Sequence, residues 1–415
     1  MQREIIVPYK SGEEAVTLDG VAQALVVSPT NTTQQVSADS IIESIERPVE
    51  KPSLQRFLKG GRNVVVIVND GARRTATAQI LDAVYPYLEK MEFTVLIACG
   101  AHPEPTRDEL GRILGRNVGQ LADRVRLHRS EHREEMTYVG KSKRGTEFYL
   151  NSLAVHADRI LVITSVEPHY FAGFMGGRKS FIPGVSSYET IVQNHRLALH
   201  RMARTFSLRR NPVHHDMMDI FRFIPSDKVF VIHLLQGRCG ELVRILSGDI
   251  EGTFYSLAES TRKLYGVKIG SKVDILVSVV LDPSLSLYES RKALHYGMLG
   301  LKKGGIHIVV SPCTKGMGGC EFFDFISHSR TPESLADSSV KDFELGGQRL
   351  MKWAESRLWG EVWLVSDLPD RVVMGAFLRP YHSVRTAVRE AVKARGKASR
   401  IAFVFDGARV IPVPQ

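Results

Sequence analysis

Three apolar runs of this chain end in ionisable side chains. Asp70-Gly-Ala-Arg73 follows residues 62–69, Ala101-His102-Pro103 follows 93–100, and Glu167-Pro168-His169 follows 159–166. A carboxylate, an arginine and two histidines delivered in this way suit proton transfer on an anionic substrate. Imidazole is the side chain best matched to acid–base work near neutral pH. A pair of them on opposite sides of a substrate could take a proton from either face. A single histidine at a strand end is ordinarily a capped or surface imidazole, but two of them beside Asp70 and Arg73 form a stronger candidate.

The segment that follows reads YFAGFMGGRKSFIPGV over 170–185. Gly173, Gly176 and Gly177 would let backbone approach a ligand closely. Arg178, Lys179 and Ser180 offer charge and hydrogen bonds suited to a phosphate. The spacing is neither GxxxxGK[ST] nor GxGxxG. Ser186-Ser-Tyr-Glu189 then has the capping-box pattern and opens a helix. Tyr188, Ile191, Val192, His195 and Leu199 share one face of it. That spacing reads His195 as a core histidine, since no HExxH or HxH pattern supplies further metal donors. His214-His215 reads as solvated in a polar loop. In the second half, 281–292 reads LDPSLSLYESRK. Tyr288 and Lys292 lie one helical turn apart, and together could hold a carboxylate or form an ordinary exposed pair. A second glycine-rich run, KGMGG, covers 315–319.

These side chains need a scaffold that gathers strand ends. Apolar, β-branched runs at 62–69, 93–100, 159–166 and 228–235 alternate with helical patterns at 75–91 and 107–114. Runs at 273–281, 305–311, 361–365 and 400–405, with helices over 288–301 and 384–395, form a second set. Strands buried on both faces and separated by helices predict an α/β fold with mostly parallel sheets, whose ligands bind beyond the carboxyl ends of the strands. We expect two domains, 1–268 and 269–405, with a cleft between them. Residues 5–49 read as strand and loop.

Composition narrows the class. The chain has 415 residues, 43% hydrophobic and 24% charged, enough to bury sizeable cores. No apolar run spans a membrane and the start lacks a signal pattern, so a cytoplasmic protein is expected. The net charge of +10 is spread along the chain without a polybasic block. That favours attraction of a small anion over nucleic acid. Cys99, Cys239, Cys313 and Cys320 make no CxxC pair, and Cys99 reads as core.

HYFAGFMGGRKSFIPGV, with a histidine sixteen residues after its lysine, resembles the nickel-dependent lactate racemase family. Asp70-Gly-Ala-Arg73, His102, His169 and the Tyr288-x-x-x-Lys292 pair match that family's other elements in order. The resemblance implies a racemase or epimerase of a small 2-hydroxy acid. It implies nickel and a pyridinium-3-thioamide-5-thiocarboxylic acid mononucleotide, covalently attached at Lys179. Asp70, Gly173, Gly176, Gly177, Arg178 and Ser180 would surround that cofactor, and His195 would be the protein's nickel ligand. His102 and His169 become the acid–base pair. Arg73, Tyr288, Lys292 and Glu289 become substrate-binding residues, and the tail 406–415 returns to the first domain. Cofactor-making enzymes are implied partners. Two departures bear on the substrate: Glu289 stands where glutamine is common, and Gln348, with Trp353 close by, stands where a tryptophan occurs. A carboxylate at 289 would repel a dianionic substrate unless Arg291 compensates. The alternatives are an NAD-dependent 2-hydroxy-acid dehydrogenase, disfavoured by the missing GxGxxG, and a non-catalytic binder of anions or nucleic acid.

Overall fold

The structure is a computed structural model and describes residues 2–19, 21, 23–28, 35–71, 75–238, 240–341 and 343–415. The chain divides into two compact units. One is Thr32–Arg262, and the other combines Met1–Asn31 with Lys263–Gln415.

The Thr32–Arg262 unit holds a six-stranded sheet ordered Leu242–Gly248, Val229–Gln236, Arg159–Ser165, Val64–Asn69, Phe93–Ala98, Val125–Leu127. All neighbours are parallel except Leu242–Gly248, which runs antiparallel to Val229–Gln236. Alternation of side chains across each strand explains the unbroken apolar runs. Val64, Val66 and Val68 pack with Ile80, Leu81 and Val84 of the helix Thr77–Leu88. Val65 and Ile67 pack on the other face against Phe181, Val213 and Met217. Burying each such aliphatic side chain stabilises the fold by about 1.5–3 kcal/mol. Connections run one way from Val64–Asn69 to Phe93–Ala98, and the other way once the chain returns at Arg159–Ser165. The crevice between these central strands is therefore a topological switch point, the favoured ligand position in open α/β sheets.

The other unit holds a six-stranded, all-parallel sheet ordered Arg379–Tyr381, Glu361–Val365, Leu301–Val310, Val273–Val279, Arg400–Phe405, Gln23–Val27. The last strand corrects the expected division at 1–268, because the N-terminal segment supplies an edge strand to the C-terminal sheet. The hairpin Gln2–Tyr9 and Gly12–Asp19 joins the same core. Its Ile5, Val7 and Val16 pack with Ile275, Val277 and Val388. The tail also stays with this unit, as Ile411–Pro414 pairs in parallel with Gly266–Gly270. The strand and helix expectations elsewhere agree with the structure to within a few residues. The helix Ala38–Glu46, capped by Ser37, lies where only strand and loop were expected. Among the described residues no helix is long and apolar enough to cross a membrane.

Candidate active site

Asp70, His102 and His169 follow three adjacent parallel strands, so the sheet gathers them at one edge. Asp70 is buried, and its carboxylate oxygen lies 2.6 Å from His102 Nδ1. A carboxylate only accepts, so Nδ1 carries the hydrogen and Nε2 keeps its lone pair. The His102 ring is half exposed. Asp70 thus orients a neighbouring histidine. Asn69 ties the two central strand ends together by donating to Thr75 Oγ1 at 2.8 Å and accepting from Thr164 Oγ1 at 3.1 Å. Arg73 lies outside the described residues.

His169 has the opposite arrangement. Its Nδ1 accepts from the amides of Ala172 (3.1 Å) and Phe171 (3.4 Å), so the neutral ring carries its hydrogen on Nε2. The ring stacks on Tyr170 and meets Phe171 edge-on, with centroids 4.5 Å apart in the latter pair.

Phe171 is the hub. The Lys179 ammonium lies 5.4 Å from its ring centroid and the His195 ring 5.0 Å away. His169, Lys179 and His195 therefore converge on one phenyl ring, each with less than a tenth of its surface exposed. The turn bearing His102 is docked nearby. Gly100, at φ +57°, donates its amide to Gly184 O at 3.0 Å, and Gly184 in turn donates to Lys179 O at 2.9 Å.

The glycine-rich segment works differently from the expectation. A Cβ at Gly173 would lie 2.1 Å from Ser207 O, and one at Gly176 would lie 2.6 Å from the Phe254 ring. A Cβ at Gly177 would meet His233 Nε2 at 3.0 Å. These glycines let protein pack against the loop, whereas ligand approach was expected. Arg178 is likewise turned inward. Its guanidinium donates to the carbonyls of Ala172, Phe174 and Met175 and lies 4.1 Å from the Phe254 ring centroid. Burial pushes its pKa down to about 9. It holds the loop in shape and presents no charge outward. Ser180 Oγ is buried and has no hydrogen-bond partner among the described residues.

Two supports were missed in the sequence. His233 lies mid-strand and accepts the Gly177 amide at 2.7 Å. Its Nδ1 lies 2.8 Å from Thr253 Oγ1. Burial, with the nearby Arg178 charge, pushes it down to about 3, so it is neutral and fully used. Asp216 accepts from Ser142 Oγ (2.5 Å), Thr146 Oγ1 (2.9 Å) and Asn194 Nδ2 (2.8 Å), which fixes the helix Tyr188–Arg196 that carries His195. A carboxylate directly after two histidines in Pro212–Met218 was the available signal. His214 corrects the solvated reading of the His214-His215 pair. It is buried against Tyr255 (3.1 Å) and driven down to about 2 by desolvation, while His215 is exposed.

The remaining expected residues belong to the other unit. Ser286 and Glu289 form a capping box on Leu287–Gly300. Glu289 Oε2 accepts from Ser286 N (2.9 Å) and Oγ (2.8 Å), and these bonds lower its pKa. Glu289 is thus committed to the helix end, contrary to its expected substrate contact. The box expected at Ser186–Glu189 is absent, because Ser187 is the cap and accepts from Thr190 N at 3.3 Å. Tyr288 is half-buried and Lys292 exposed. Trp353 is a core residue donating to Ala376 O, and Gln348 is buried with Oε1 accepting from Gly346 N.

The lactate racemase N-terminal domain model matches residues 9–206, and the lactate racemase C-terminal domain model matches 280–412. The chain belongs to the lactate racemase family. This family of isomerases includes the lactate racemase of Thermoanaerobacterium thermosaccharolyticum, 27% identical and covering 98% of both chains. It also includes that of Lactiplantibacillus plantarum, 25% identical and covering 90% of both. The apoprotein structure of the Thermoanaerobacterium enzyme matches the fold with a TM-score of 0.87 at 24% identity, covering 99% of this chain and all of that one. A Thermotoga maritima protein matches at 0.67 and 17%, over 93% of this chain.

The residues present fit the family's nickel-bearing nucleotide. Among the described residues no cluster of three or more metal-donor side chains exists. A metal held at His195 would take its further donors from such a cofactor, and the Lys179 ammonium lies against the same phenyl ring as His195. Ser180 Oγ adds a buried polar group without a protein partner.

Proposed function

We propose that this chain racemises a small 2-hydroxy acid, with a nickel-bearing pyridinium nucleotide carried on Lys179 and His102 and His169 as the acid–base pair. The observation carrying this reading is the convergence of His169, Lys179 and His195 on Phe171, with the Asp70–His102 couple at a neighbouring strand end. Such a group, when bound, supplies reversible hydride acceptance from the substrate's α-carbon. Lys179 would hold it through its side-chain nitrogen, and His195 would give the metal an imidazole, a donor suited to nickel.

The protein's own part is proton handling and orientation. Asp70 locks the His102 tautomer so that Nε2 takes the hydroxyl proton of one enantiomer. His169, with Nδ1 occupied by two amides, offers its Nε2 hydrogen to the substrate oxygen. For the other enantiomer the roles exchange, and His169 accepts at Nε2 only after Nδ1 has gained a hydrogen and its amide contacts have loosened. Arg73, Tyr288 and Lys292 bind the substrate carboxylate. The test is the intact mass of protein from cells that make the cofactor, peptide mapping around Lys179, and chiral separation of products. A nickel-containing adduct on Lys179 and racemised product are expected. An unmodified lysine, beside a control racemase loaded in the same cells, would overturn the reading.

A further inference from the structure

The peptide unit joining Gly176 to Gly177 is bonded on both sides. Its carbonyl accepts from the Lys179 amide at 2.7 Å, and its N–H donates to His233 Nε2 at 2.7 Å. A trans peptide is planar, with its carbonyl and N–H pointing in opposite directions. Fixing the N–H therefore aims the carbonyl. His233, in the strand Val229–Gln236, acts on the Lys179 backbone through this one plane.

That plane needs an outside hold. Glycine on each side leaves it free to turn over, because no Cβ bars the alternative dihedrals, and Gly176 already stands at φ +129°. Side chains cannot supply the restraint. A Cβ at Gly176 would lie 2.6 Å from the Phe254 ring, and one at Gly177 would lie 3.0 Å from both His233 Nε2 and Ile250 Cδ1. Arg178 ties down the carbonyls of Ala172, Phe174 and Met175, which leaves the Gly176 carbonyl to Lys179.

His233 is itself locked in the form that accepts. Thr253 gives its hydroxyl hydrogen to Asp249 O at 2.5 Å, so its oxygen accepts from His233 Nδ1 at 2.8 Å. A neutral imidazole that donates at Nδ1 accepts at Nε2, which is the atom facing Gly177. The ring is fully buried. Burial, with the Arg178 charge, holds its pKa at about 3, so the acceptor is present throughout the neutral range.

We infer that His233 is a positioning residue for Lys179, fixing through the Gly176–Gly177 peptide the backbone from which the lysine takes up its cofactor. This rests on the reading that Lys179 carries the nucleotide.

His233→Gln and His233→Asn separate positioning from packing. Glutamine brings its amide oxygen close to the place of Nε2 and can accept from Gly177. Asparagine is shorter, keeps a donor for Thr253 and falls short of Gly177. Amide hydrogen exchange and the adduct fraction by intact mass, in protein from cells that make the cofactor, are read beside the melting temperature. In His233→Asn, exchange at the Lys179 amide should quicken by about tenfold or more while Arg159–Ser165 keeps its protection. The adduct fraction should fall by about tenfold or more. His233→Gln should recover most of both. Parent-like exchange and loading in His233→Asn would overturn the inference, as would equal losses in both variants that track their melting temperatures. If His233→Asn does not fold, Thr253→Val frees the tautomer at constant shape and should move both readouts the same way; no movement would overturn the inference. An unmodified Lys179 in the parent, beside a loaded control racemase, would sink the cofactor reading. The exchange comparison would then still decide whether His233 holds the Lys179 backbone.

Discussion

The two units hold their candidate functional side chains in opposite ways. In Thr32–Arg262, Lys179, His169 and His195 are nearly dry and share one aromatic partner. Their loops are in turn fixed by Arg178, His233 and Asp216, each bonded to buried polar groups. In Lys263–Gln415, Tyr288, Arg291 and Arg349 are half-buried, Lys292 is exposed, and the contacts run between long side chains on helix surfaces. Burial preorganises geometry and makes it intolerant of change. Half-exposed side chains can be exchanged without disturbing a core. On the proposed reading, the chemistry uses the dry, rigidly held side chains and recognition uses the more exposed ones.

The comparison breaks most sharply at Lys179. Lys179→Ala should abolish the covalent adduct by mass and bring racemisation to background, whereas changes in the other unit leave the adduct in place. A fully active Lys179→Ala protein would place the chemistry elsewhere. Next in size is the acid–base pair. His102→Ala or His169→Ala should reduce kcat by about 10²–10⁴-fold with the adduct retained. Asp70→Asn should cost about 10–100-fold, since a neutral amide no longer fixes the His102 hydrogen on Nδ1. If Asp70→Asn left kcat unchanged, the Asp70–His102 contact would be structural only.

The rigidity of the first unit can itself be tested. Asp216→Ala leaves three buried donors without an acceptor and should destabilise by about 2–4 kcal/mol, measured by denaturant titration. Nickel retention should fall with it, because Asn194 adjoins His195. Stability within about 0.5 kcal/mol of the parent would show that this network does not hold the His195 helix.

Much of this is legible in the amino-acid sequence alone. Strand runs such as 159–166 announced themselves because strands buried on both faces are apolar throughout, and in an α/β sheet the residues after each run fall at one edge. The order of strands was not legible, so nothing in the sequence joined Gln23–Val27 to Arg400–Phe405. Residue types misled where one type serves two purposes. Arg178 suits a phosphate and equally suits three carbonyls at a loop. Glycines suit a ligand and equally suit Phe254 or Ser207 O. Phe171 was invisible as a hub because a phenylalanine in an apolar run carries no chemical signal. Ser-x-x-Glu occurs at both 186–189 and 286–289, and only the second forms a box, since Ser186 is already tied to Pro183 O and to His128.

That capping box gives the smallest expected effect and the finest test of the comparison. If Glu289 belongs to the helix end, Glu289→Gln should change kcat/KM by less than about twofold. Its cost should fall on stability, about 0.3–1 kcal/mol at neutral pH, because Gln can keep the box but removes the negative charge at the helix start. The sign with pH follows from the lowered pKa of Glu289, caused first by the Ser286 amide hydrogen bond. Because the folded-state value lies below the unfolded one, the carboxylate's contribution is present above the ordinary glutamate range, near pH 4.3. It is lost as pH falls through the lower folded value. Parent and Glu289→Gln melting curves should therefore be separated at pH 6–7 and converge on acidification below about pH 4. A separation that persists in acid, or a large loss of turnover at neutral pH, would return Glu289 to the substrate.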